Sequence, residues 1–158
     1  MEMDLEKFRE FFMSRMNSGM HGHFGSLGLV CTFIEDGRAG LDLPYDERFV
    51  SNPASGILAG GVITALVDTC CAIASATRAE NFGFSPTLDL RIDHMGVAEA
   101  GNTVHAEAEV YRTTRNVIFT RGKVFQEDRA RPIAHCLVNF TPVAHKVMDS
   151  QAGMEAQS

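Results

Sequence analysis

The sequence predicts an α+β domain in which one buried helix is enclosed by a sheet. Three observations carry that reading. First, between Arg48 and Arg78 the only charged side chain is Asp68. It lies in Gly60-Gly61-Val62-Ile63-Thr64-Ala65-Leu66-Val67-Asp68-Thr69-Cys70-Cys71-Ala72-Ile73-Ala74. That run is apolar on every side, so a helix made from it must be buried. Second, later segments alternate apolar and polar residues with period two, which marks sheets with one covered face. Third, a single all-round apolar helix needs a sheet wrapped about it. The 158 residues, 45% of them apolar, supply one domain with a real core, taken as residues 1–145.

The elements follow in order. Asp4 to Asn17 reads as an amphipathic helix, with Leu5, Phe8, Phe11, Phe12 and Met16 at three- and four-residue steps. Met20–Gly28 is glycine-rich and ends it. Leu27–Phe33 and Ala39–Leu43 are strand-like, joined by the turn Glu35-Asp36-Gly37-Arg38. Pro44–Ser55 reads as a loop, and Gly60 to about Ala79 as the buried helix. Thr87–Met95 sets Leu88, Leu90, Ile92 and His94 on one face against Asp89, Arg91 and Asp93. Val104–Tyr111 and Ala134–Thr141 alternate in the same way, and Asn116–Phe125 is strand-like with a break at Gly122. The tail from Lys146 to Ser158 is polar and aperiodic, so disorder is expected there. Such a sheet has one face to bury the helix, and oligomerisation is a natural inference for the rest.

The totals narrow the function classes. Net charge is −6, which gives no electrostatic reason to expect a nucleic-acid or anionic-membrane partner. The start Met1-Glu2-Met3-Asp4 has acids where a signal peptide has bases. The Ile57–Thr77 stretch is interrupted by glycines, serine and Asp68, which argues against a membrane span. Cys31, Cys70, Cys71 and Cys136 read as free thiols in a reducing cytoplasm. Cys70 and Cys71 show no activating partner in sequence. His21-Gly22-His23 has no acids or cysteines nearby and reads as a loop rather than a metal site.

Asp68 is the residue that needs explaining, because a buried carboxylate is costly unless it is paired, hydrogen-bonded or used. Its face of the helix carries Gly61, Thr64, Ala65, Cys71, Ala72 and Ser75, all small. A small-residue stripe leaves room for a water, a ligand or a partner. A structural acid bonded to backbone or to Thr87 remains open on this reading.

Asn52-Pro53, Gly56, the Gly60–Thr69 run and the later Thr87-Leu88-Asp89-Leu90-Arg91-Ile92-Asp93 together resemble the hotdog-fold acyl-CoA thioesterases of the phenylacetate-pathway type. The resemblance runs from about Leu27 to Phe140. It implies a curved antiparallel sheet around the Gly60–Ala79 helix, assembled as dimers or tetramers with active sites between subunits. It implies Asp68 as general base or nucleophile, and the Gly60 amide as binder of the thioester oxygen. Asn52 would help position the carbonyl or the water, and Thr87 would bond the water or the carboxylate of a neighbouring subunit. An acyl-CoA is the implied substrate, with no metal or redox cofactor. The chain departs from the pattern at Ala59, where the family often has His, and at Asn52, which lies four rather than three residues before Gly56.

The residues fit that chemistry. A helix N-terminus offers free N–H groups and a positive dipole end. Gly60 and Gly61 let a carbonyl approach the backbone closely, although a tight turn or close packing would also use them. Asp68 stands about 12 Å along the axis from Gly60 of its own chain, so a site shared between subunits is expected. Asn52 could equally start a turn before Pro53. Arg112, Arg115, Arg121 and Lys123 suit coenzyme A phosphates, Arg115 and Arg121 foremost, or a solvated hairpin. Two other functions stay open. Ala59 in place of His fits a non-catalytic acyl-CoA binder or sensor. A hydratase would need a catalytic His, and none lies near Asp68 in sequence.

Overall fold

The computed structural model describes residues 4–19, 22–79 and 82–142. Helix α1 (Leu5–Asn17) begins where Asp4 caps it, its carboxylate accepting from the Lys7 N–H at 2.9 Å. Phe8, Phe12 and Met16 form its buried stripe. The glycine-rich segment after it contains a short helix, α2 (His23–Leu27), rather than loop alone. Gly28 closes α2 in the left-handed conformation, at φ 65°. The next strand therefore starts later than its apolar pattern suggests. β1 (Val30–Glu35) and β2 (Arg38–Leu43) form the expected hairpin, turning at Asp36-Gly37. Gly37 donates its N–H to Thr77 Oγ1 at 2.7 Å, which ties the hairpin to the end of the long helix.

The segment from Pro44 to Ser55 is more ordered than a loop. It holds a single helical turn at Glu47–Phe49 and the strand β3 (Val50–Asn52), which pairs with β4 (Ile57–Leu58) just after it. Helix α3 (Gly60–Ala76) follows, three residues shorter at its end than the apolar run. Then come β5 (Thr87–His94), β6 (Val104–Thr113), β7 (Ile118–Phe125) and β8 (Ala134–Phe140). Six strands make one antiparallel sheet in the order β1-β2-β6-β7-β8-β5. This is the sheet-on-helix architecture that the resemblance implies. The tail from Lys146 and His21 lie outside the described residues. Among the described residues no helix is long and apolar enough to cross a membrane.

Alternation decides which side chains meet the helix. Ala39, Leu41, Ala106, Ala108, Val124 and Val138 point inward and are fully or almost fully buried. Ile63, Leu66, Val67, Cys70 and Ile73 of α3 pack down onto them. Fully burying one such Leu, Val or Ile contributes about 1.5–3 kcal/mol. The alanines matter because a helix can approach a sheet closely only where side chains are short.

Gly122 is the limiting case. A β-carbon there would stand 2.9 Å from both Val67 Cγ2 and Cys136 Sγ, and 3.2 Å from Cys71 Sγ. Gly122 therefore does not break β7. The strand runs through it, and its missing side chain is the notch that admits α3.

β5 departs from simple alternation. Its pairing with β8 slips between Thr87 and Asp89, so an extra residue enters the strand. That bulge turns Thr87 toward the helix and leaves Leu88 57% exposed, instead of setting Leu88 on the inner face. Leu90 and Ile92 keep the inward positions.

The notch yields a test. Gly122→Ala should destabilise the fold by about 1–3 kcal/mol through overpacking, read as a lowered denaturant midpoint with an unchanged m-value. A neutral result would mean that α3 does not need the notch.

Candidate active site

Helix α3 is not enclosed all round. Its open face carries Gly61, Thr64, Ala65, Asp68 and Ala72, while Cys71 and Ser75, expected beside them, are buried. Asp68 is half-buried on that face. Its Oδ1 accepts a hydrogen bond from Thr87 Oγ1 at 3.2 Å, the one side chain the bulge in β5 delivers to it. Both residues belong to one chain, so this hydrogen bond lies within a single subunit. Among the described residues no cation pairs with Asp68.

The electrostatics follow from that placement. Partial burial raises the Asp68 pKa above the ordinary 3.8, and the Thr87 hydrogen bond pulls it part of the way back. A carboxyl held above its ordinary value favours the fold most when protonated. Its contribution is present at low pH and is lost as pH rises through the raised value.

The start of α3 offers the second half of a site. Ala59 stands at the N-cap with no side-chain capping bond, so the first N–H groups of the helix have no side chain to satisfy them. Gly60 and Gly61 are both exposed. A β-carbon on Gly61 would meet nothing within 4 Å, and one on Gly60 would meet only the His94 ring, at 3.6 Å. Neither has a positive φ. The fold of this chain therefore requires neither glycine, although glycine in a helix costs about 1 kcal/mol against alanine. A tight turn or close packing within the chain does not account for the pair.

Asn52 and Gly56 shape the loop before the helix. Asn52 is exposed, and its Oδ1 accepts from Ala54 N–H at 3.0 Å while its carbonyl accepts from the N–H groups of Ser55 and Gly56. In this chain it organises a turn. Gly56 needs its glycine, having φ 67° and a β-carbon position 2.7 Å from Ala100 Cβ.

The remaining candidates lie elsewhere. Arg121 projects from the outer face of the sheet, opposite α3, and pairs with Glu109 at 2.6 Å. It lines a groove of about 530 Å³ with Arg38, Glu107, Lys123 and Arg129. Arg115 sits exposed in the β6–β7 turn. Neither arginine is brought to Asp68. All four cysteines are free and buried. Burial pushes Cys31 up to about 12 and raises Cys70 too, so these thiols are protonated packing groups. Among the described residues no three His, Cys, Asp or Glu side chains gather to hold a metal.

One neighbour was not singled out by its strand pattern. His94 reads from sequence as a structural residue ending an apolar face, yet its ring borders Gly60. The signal was its inward parity on β5. What made it unreadable was where that strand would cross the helix.

The pKa direction at Asp68 sets an expectation for stability. Asp68→Asn should melt at or above wild type at pH 7, with the advantage vanishing below about pH 4. A wild type that melts higher at pH 7 would instead mark the ionised carboxylate as a structural group. Differential scanning calorimetry across that range decides it.

Comparison with known proteins adds the family. Residues 55–133 match the family model of the thioesterase superfamily. Among solved structures, a protein from Pseudomonas aeruginosa is 41% identical, with a TM-score of 0.69 over 87% of this chain and 97% of that one. A mutant of the phenylacetic acid degradation protein PaaI from Thermus thermophilus is 26% identical, with a TM-score of 0.64 over 73% of this chain and 95% of that one. Zebra fish thioesterase superfamily member 2 shares the fold at 18% identity, with a TM-score of 0.70 over 88% and 98% of the two chains. No curated protein matches the chain. The match begins before α3 and runs through β7, and so covers Gly60, Asp68 and Thr87; with these hotdog-fold neighbours, it establishes that the chain belongs to the thioesterase superfamily.

Proposed function

We propose that this protein hydrolyses acyl-CoA thioesters to a free acid and coenzyme A. One observation carries the reading. A half-buried carboxylate, held by one hydroxyl, stands on an open helix face whose first turn carries two glycines that the fold does not need.

The chemistry assigns each part a task. Asp68 in its ionised form takes a proton from water as the oxygen attacks the thioester carbon. The carbonyl oxygen gains charge and is stabilised by the Gly60 N–H at the positive end of α3. Collapse of the adduct breaks the carbon–sulfur bond, and the thiolate leaves with the proton that Asp68 had taken. Thr87 keeps one carboxylate oxygen engaged, so the other faces the water. Direct attack by Asp68 through an anhydride has the same overall balance. Label from isotopically heavy water entering Asp68 in a single turnover distinguishes the two. The reaction as written calls for no metal or redox cofactor, and Arg115 and Arg121 stay candidates for the phosphates of coenzyme A.

Geometry argues for assembly. Eight residues separate Gly60 from Asp68, about 12 Å along one helix, too far for one carbonyl to meet both. A second copy can bring its own Asp68 to the Gly60 end of the first. β5 is a sheet edge, and Leu88, Met95 and Val97 on and just beyond it are 57%, 57% and 54% exposed. A row of exposed apolar side chains along an open edge suits pairing with another chain. We therefore read the protein as a homodimer or a dimer of dimers.

Two substitutions test the reading with the chain intact. Gly60→Pro removes the proposed donor at a helix position that proline tolerates, and Ala59 before it already has the extended backbone proline requires, at φ −65° and ψ 137°. Its turnover should fall about 100-fold or more with melting unchanged. Asp68→Asn should abolish thiol release from acetyl-, octanoyl-, palmitoyl- and phenylacetyl-CoA. Full turnover by folded Asp68→Asn would overturn the proposal. Tight acyl-CoA binding by wild type without any thiol release would favour a non-catalytic binder, for which Ala59 in place of His is the motive.

A further inference from the structure

His94 is the last residue of β5, and three features fix where its ring goes. Its backbone pairs with Ala134, whose side chain is fully buried, so His94 shares the parity that faces the helix. Immediately after it the strand is pinned: the N–H groups of Met95 and Gly96 both donate to the Ile133 carbonyl, at 2.8 and 3.0 Å. The ring then lies against the first residue of α3. From the position of a β-carbon on Gly60, the nearest atoms are His94 Cε1 at 3.6 Å and Nε2 at 3.8 Å. The nitrogen-bearing edge of the imidazole, not its stem, is turned toward that position.

This ring has no structural employment. His94 is exposed, and among the described residues no hydrogen bond or ion pair engages either ring nitrogen. The other exposed end of the contact is equally unsatisfied, because Ala59 gives α3 no side-chain cap. An imidazole and a free helix amide thus border the same opening, from different elements. An oxygen accepting from the Gly60 N–H would enter the opening that this ring edge also borders. A site built for a developing negative charge gains from a second donor there.

We propose that His94 is a catalytic residue of this site, its Nε2–H donating a hydrogen bond to the thioester oxygen held by the Gly60 amide. The proposal rests on the thioesterase reading above and adds the residue that shares the oxyanion with the backbone. It needs no proton transfer. The imidazole holds the oxygen as charge develops and releases it when the carbon–sulfur bond breaks. It belongs to the same chain as Gly60, so each site takes amide and imidazole from one subunit and carboxylate and hydroxyl from the other.

The test measures thiol release by the full-length protein with the acyl-CoA that wild type turns over fastest among acetyl-, octanoyl-, palmitoyl- and phenylacetyl-CoA. His94→Ala should lower kcat about 100-fold with little change in KM, because the bond strengthens as charge builds. His94→Gln, which keeps an N–H donor at a similar reach on a more flexible stem, should retain more activity than His94→Ala. Free imidazole added to His94→Ala should restore part of the rate, which a merely structural role would not allow. Melting temperatures should match wild type, since the ring is exposed. Asp68→Asn runs beside them. If Asp68→Asn is inactive while His94→Ala keeps kcat within about twofold of wild type, the His94 assignment fails alone. If Asp68→Asn stays active, the thioesterase reading itself fails. A His94→Ala loss that imidazole does not relieve, and that comes with a lowered melting temperature, would assign the ring to packing and overturn the proposal.

Discussion

Helix α3 seats itself in the sheet through Ile63, Leu66, Val67, Cys70 and Ile73, and the depth of that seat is set by what the sheet lacks. Ala39, Ala106, Ala108 and Gly122 line the inner face, and Gly122 leaves no room for even a methyl group. Close approach fixes the helix rotation, because interiors are packed too densely to let it roll. Once the rotation is fixed, Gly61, Thr64, Ala65, Asp68 and Ala72 are the residues left outside. The edge strand β5 runs alongside, with Thr87 beside Asp68 and His94 beside Gly60. Packing on one side of the helix therefore arranges the side chains on the other.

That arrangement is held against local preferences. Gly60 and Gly61 weaken the first turn of the helix, Ala59 leaves it uncapped, and partial burial raises the pKa of Asp68. None of these choices is needed by the chain on its own. Each one makes sense if a carbonyl and a second subunit approach this face. Local rules tend to be broken where function requires it, and here the breaks cluster on one helix face and at one helix end.

Much of this could be read from residue order. The apolar run around Asp68 gave the helix, and period-two alternation gave β6 and β8 nearly to the residue. Two kinds of detail were hidden. Short elements such as α2 and the β3–β4 ribbon carry too few residues to show a period. The bulge in β5 changes which side chains face inward without changing the sequence pattern, so Leu88 replaced Thr87 in a reading by alternation alone. Apolar character also overstated burial, since one face of α3 is small rather than covered. At the candidate site, Asp68, Thr87 and the glycine pair stood out because their types are unusual in such a helix or recur in a motif. Asn52 was readable as a turn former or as a positioning group, and its turn is formed through Oδ1 and its backbone carbonyl. His94 could not be found from its own strand, because its meaning comes from crossing a different element.

The central claim is that one active site takes its Gly60 end and its Asp68 from different subunits. Mixing two defective chains tests it most directly. Gly60→Pro and Asp68→Asn proteins, the first with turnover at about 1% of wild type or less and the second with none, are unfolded together, refolded and assayed for thiol release. Random pairing makes half the dimers mixed, and each mixed dimer has one site with both wild-type groups. About a quarter of the wild-type activity should return. If both groups come from the same chain, every site stays defective and no activity is gained, and the shared-site account is then wrong.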